Sequence, residues 1–146
     1  MGEEQLRRLD RLLEQTADAG LFRVVLLHHP PALRTVRWRK SLLDGAALRD
    51  VIARRGAELL LHGHGHFSAA AYLDAPRQRN LAIGVPTASA IGRKLERWAT
   101  YHVYRIQRRE TGWRLLVSVR TYSVDSGRFI AEDGGRLRQA LAASSV

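Results

Sequence analysis

Six histidines occur in the 146-residue chain, and five of them fall in two short runs. His28-His29 precedes Pro30-Pro31, and His62, His64 and His66 alternate with Gly63 and Gly65. Imidazole is the commonest metal ligand near neutral pH. On an extended segment, alternate residues project to one side, so His62, His64 and His66 can converge. Gly63 and Gly65 leave room for the backbone to approach a bound group. The chain has no cysteine, which excludes thiolate sites and disulfides and leaves imidazole and carboxylate as ligand types. The sixth histidine, His102, stands alone in a strand-like stretch and reads as a packed side chain. No Gly-x-Ser-x-Gly elbow and no phosphate-binding glycine loop occur, which disfavours serine-hydrolase and P-loop chemistry.

The surrounding sequence predicts how the two runs are positioned. Leu6, Leu9, Leu12 and Leu13 recur at helical spacing within residues 3–15, and Gly20 is a stop signal. Phe22–Leu27 is a β-branched, apolar strand that runs into His28, and the prolines end it. Asp44 opens a second helix through about Arg55, with Leu48, Val51 and Ile52 inward and Gly56 at its end. A second short strand, Glu58–Leu61, then meets His62. Strand, helix and strand in this order predict a βαβ crossover, with both histidine runs at the carboxyl ends of neighbouring strands, where α/β sheets place their chemistry. Residues 32–43, with Arg34, Arg37, Trp38, Arg39 and Lys40, read as a loop. The second half predicts strands over Ala69–Leu73, Asn80–Val85, Thr100–Ile106 and Trp113–Tyr122, a turn at 110–112 and a last helix over Gly135–Ala142.

The length fits one domain, 1–146. Lysine and arginine total 24 against 14 acidic residues, a net charge of +10, and all the basic residues but Lys40 and Lys94 are arginine. They are spread along the chain without a basic helix or tail, which reads as a solvated basic surface; nucleic-acid binding is not expected. No apolar run approaches the roughly 20 residues that span a bilayer. Met-Gly-Glu-Glu-Gln lacks the features of a secretory signal, and Leu6 stands where a myristoylation motif needs Ser or Thr. A cytoplasmic protein with no membrane association is expected.

Residues 22–31, an apolar strand ending His-His-Pro, and residues 59–66, an apolar strand ending His-Gly-His-Gly-His, resemble the calcineurin-like metallophosphoesterase family. The likeness extends over roughly residues 3–130, including Val85–Ala90. It implies an α/β (α+β by some schemes) fold, a four-layer αββα sandwich with mixed sheets. It also implies a hydrolase of phosphate mono- or diesters with two divalent transition-metal ions (Mn, Fe or Zn) that stabilise the attacking and leaving oxygens. By that resemblance His28 and His64 ligate one metal and His66 the other, while His29 and His62 match no usual ligand; no catalytic or substrate-binding residue is assigned.

The family's upstream motifs, Asp-x-His, Gly-Asp-x-x-Asp and Gly-Asn-His-Asp/Glu, do not occur here. The resemblance therefore implies the C-terminal part of a metallophosphoesterase domain with its N-terminal half absent. Turnover by this part alone is not expected, and the strand over 24–27 would have an open edge. Two alternatives stand beside this reading. A self-contained hydrolase could use one metal on His62, His64 and His66, or on His28, His64 and His66, with Asp44, Asp74 or Glu58 as base or hydrogen-bond partner. An arginine-rich nucleic-acid-binding module could use Trp38 among Arg37, Arg39 and Lys40.

Overall fold

The first helix begins where Gln5 reaches back, its Oε1 accepting the Gly2 N–H at 3.2 Å, and Glu3 and Glu4 sit favourably in the first turn. This helix, α1 (Glu3–Asp18), ends in a Schellman motif. Leu21 N–H donates to Thr16 C=O, Gly20 N–H donates to Ala17 C=O, and Gly20 has the positive φ of 63° that the motif requires. The computed structural model describes residues 2–31, 44–73, 80–91 and 98–132. The loop over 32–43 and the helix expected over Gly135–Ala142 lie outside these residues.

After α1 come β1 (Val24–Leu27), α2 (Gly45–Arg55), β2 (Leu59–His62), β3 (Ala69–Leu73), β4 (Asn80–Gly84), β5 (Thr100–Arg108), β6 (Trp113–Ser123) and β7 (Arg128–Glu132). They form a mixed α/β arrangement of two sheets and two helices. The first sheet has the order β1-β2-β4-β3, with β1, β2 and β4 parallel and β3 antiparallel to β4. The expected βαβ crossover is therefore present. The second sheet is the antiparallel meander β5-β6-β7. Its third strand was not anticipated: Phe129-Ile130-Ala131 lacks clean alternation, and only the turn ending at Gly127 (φ 64°) announces it.

The core lies between the helices and one face of the first sheet. Leu13 of α1 and Leu48, Val51 and Ile52 of α2 cluster with Val25, Leu60 and Ala82, which share that face by register. Arg23, only 9% exposed, ties this layer together. Its guanidinium donates to Glu58 through Nε (3.0 Å) and Nη2 (2.8 Å), and through Nη1 to the carbonyls of Leu13 and Arg55. Arg55 in turn donates to Asp10 and Glu14 of α1. The opposite face is unevenly covered: Leu59 and Ile83 are buried, whereas Val24 and Leu26 on β1 are exposed. No helix among the described residues is long and apolar enough to cross a membrane.

Candidate metal centre

The two histidine runs meet because β1 and β2 are in parallel register, Leu27 beside His62. The contact continues past the strands, where Gly63 N–H donates to His28 C=O at 3.2 Å. Pro30 and Pro31 are buried, and Arg49 of α2 donates to the Pro31 carbonyl at 3.3 Å, so α2 anchors the turn that carries His28 and His29. On the β2 side Gly65 N–H donates to Gly63 C=O at 2.8 Å, folding the chain back. His64 and His66 adopt left-handed backbone conformations, φ 62° and 57°. Such values are uncommon for residues with a Cβ, and they cluster at functional sites.

These left-handed residues break the extended run on which a convergence of His62, His64 and His66 would depend. His62 ends β2 and turns inward, 7% exposed. Its ring occupies the space above Gly84, where a Cβ would lie 2.5 Å from Cε1. Burial lowers its pKa, which favours the neutral ring. His64 instead turns to the first run. Its Nδ1 lies 3.0 Å from Nε2 of His28, and its ring centroid is 4.3 Å from that of His29. One ligand nitrogen from each of His28, His29 and His64 falls within 4.8 Å of the others, the one such group of three among the described residues. His66 is exposed and outside this group.

The three imidazoles could hold one ion. Two nitrogens on a tetrahedral zinc lie about 3.3 Å apart, given Zn–N bonds of about 2.05 Å; the 3.0 Å between His28 and His64, a hydrogen-bonding distance without an ion, is close to that, and a His29 nitrogen lies within 4.8 Å of both. Three imidazoles leave a fourth position open, the pattern of catalytic rather than structural sites. Glu58, one carboxylate considered as a base, sits at the other end of β2, hydrogen-bonded to Arg23. Asp74 lies outside the described residues, as do Arg34, Arg37, Trp38, Arg39 and Lys40. Asp44 is at the N-cap of α2. The sequence signal for His29 was its adjacency to His28 at a strand end; nothing in the sequence marked Gly84 as the residue that makes room for His62.

No protein-family model matches the chain, and no curated protein matches it.

Proposed function

We propose that this chain is a metal-dependent phosphoesterase whose ion is held by His28, His29 and His64. The observation that carries the reading is the convergence of three imidazoles at the carboxyl ends of two adjacent parallel strands, His28 Nε2 and His64 Nδ1 being 3.0 Å apart. The substrate class comes from the resemblance of residues 22–31 and 59–66 to metallophosphoesterases. When bound, a Mn, Fe or Zn ion would supply Lewis acidity toward a phosphoryl oxygen. Ligation through His28 Nε2 and His64 Nδ1 requires each neutral ring to keep its proton on the other nitrogen, Nδ1 of His28 and Nε2 of His64. The buried prolines and the Gly63–His28 backbone bond hold the two turns in place before anything binds.

A single-metal centre is the form of this reading that the described ligands support, because three imidazoles can hold one ion with a position left open and His66 stands apart. The test is hydrolysis of bis(p-nitrophenyl) phosphate by the purified chain with Mn²⁺, beside His64→Ala. The resemblance implies no turnover without the upstream motifs, whereas a one-ion centre built from this chain's own imidazoles predicts metal-dependent turnover that falls at least a hundredfold in His64→Ala. Turnover unchanged in that variant, or none from a folded, metal-loaded chain, contradicts the proposal.

A further inference from the structure

The second sheet presents a face that the metal centre does not use. In β5 and β6 the register pairs Tyr101 with Arg120, Arg105 with Leu116 and Gln107 with Arg114, and β7 sets Phe129 beside Tyr122. Strand alternation therefore puts Tyr101, Arg105, Arg114, Arg120, Tyr122 and Phe129 on one side. Tyr101 is 39% exposed, and Arg105 and Arg114 are exposed. The rings of Tyr101 and Phe129 lie 5.0 Å apart, and those of Tyr122 and Phe129 5.6 Å apart, both edge to face. That packing holds the rings in place without stacking them in parallel; Tyr101 is the exposed ring of the three, and Tyr122 and Phe129 are half-buried behind it.

The charge on this face has one sign. The single acidic residue in the three strands, Glu132, pairs by register with Val119 and so lies on the opposite side, where its Oε2 accepts the Thr121 hydroxyl at 2.7 Å. Arg105 and Arg114 are diagonal neighbours in the register, within the spacing that two long side chains can span to reach one anion.

We infer that this face binds single-stranded nucleic acid, with bases stacked on the Tyr101–Phe129 cluster and phosphates against Arg105, Arg114 and Arg120. Fixed aromatic rings flanked by arginine on an exposed sheet are what a single strand needs, because its bases are unstacked and its backbone is anionic. A duplex keeps its base faces covered and gains only the phosphate contacts. An acidic protein surface would satisfy the arginines but has no planar groups in series for the rings.

The test is fluorescence anisotropy with a labelled 12-nucleotide oligo(dT) and with its duplex. EDTA is present so that hydrolysis cannot consume the probe and failure of the metal-site reading leaves this result unaffected. The single strand is expected to bind at least tenfold tighter than the duplex. Tyr101→Ala and Phe129→Ala, checked for folding by circular dichroism, should each weaken binding about tenfold. Arg105→Gln with Arg114→Gln should lower the slope of log K against log salt by roughly 1.4, two contacts at about 0.7 each. Arg7→Gln with Arg8→Gln on α1 removes the same charge and should change affinity by less than twofold. Three results would overturn the inference: equal loss in the α1 control, undiminished binding in both ring variants, or self-association through this face with no oligonucleotide bound.

Discussion

Nε2 of His28 and Nδ1 of His64 lie 3.0 Å apart across 36 positions of sequence, and neither residue is inside a strand. Parallel pairing of β1 and β2 brings their turns together, and the Gly63 N–H to His28 C=O bond continues the ladder into those turns. The left-handed φ of His64 then aims its ring at the first run instead of along the strand.

Gly84→Ala should destabilise the fold by about 1–3 kcal/mol, as overpacking a filled space does. The new Cβ would meet His62 Cε1 at 2.5 Å and the Ala69 Cβ at 3.2 Å. Chemical denaturation of Gly84→Ala, of His62→Ala and of the double variant should give a double-mutant loss smaller than the sum of the single losses. Strict additivity would mean that the His62 ring does not occupy the space above Gly84.

Arg23→Met should cost about 3–5 kcal/mol because it leaves the Glu58 carboxylate, 20% exposed, without its bidentate partner. The Leu13 and Arg55 carbonyls lose their donor in the same change. Urea unfolding is the measurement. A loss below about 1 kcal/mol would show that this pair behaves as a surface contact.

Acid should weaken the fold in two windows. Burial lowers the His102 pKa from its ordinary 6.5, with Glu132 partly offsetting it. The Tyr104 hydroxyl, kept protonated by burial, lies 2.9 Å from His102 Nδ1, and Nε2 is buried with no partner among the described residues. Below pH 6.5 the unfolded ring therefore gains a proton that the native ring resists, so stability falls with pH until the native value is passed. His62 adds to this window. For Glu58 burial acts upward, but the Arg23 hydrogen bonds and charge outweigh it, leaving the pKa below its ordinary 4.5. That contribution is complete above 4.5 and is lost as pH falls through the native value. A melting-temperature profile should show both declines, the upper one reduced in His102→Gln and the lower one in Glu58→Gln.

Leu26→Lys should reduce aggregation with little change in stability. Leu26 is 74% exposed on β1, which is the edge of its sheet among the described strands. A lysine there blocks edge-to-edge pairing. Light scattering during thermal ramps, with stability held within about 0.5 kcal/mol, is the check; unchanged scattering would place the association elsewhere.

The parts of this structure legible in the sequence were those written in local pattern. The runs Phe22–Leu27 and Glu58–Leu61, ended by Pro30 and Gly63, pointed to both strands and the crossover between them, although β1 begins two residues later than expected, at Val24. Strand β2 runs one residue later than expected, through His62, which pairs with Leu27 and Gly84 and whose carbonyl accepts the Val85 N–H at 3.1 Å. What stayed hidden depends on backbone sign and on distant partners. Alternation predicts that His62, His64 and His66 share a side, and two positive φ values undo it. The Arg23–Glu58 pair spans 35 positions and has no local signature. Strand β7 gains its place only by pairing with β6.

The most direct test of the central claim is calorimetric titration of the metal-free chain with Zn²⁺, repeated for His64→Ala and His66→Ala. The account predicts one ion per chain, affinity reduced roughly a hundredfold or more in His64→Ala, and His66→Ala within threefold of the unaltered chain. Binding that survives His64→Ala, or that depends equally on His66, would contradict a centre built from His28, His29 and His64.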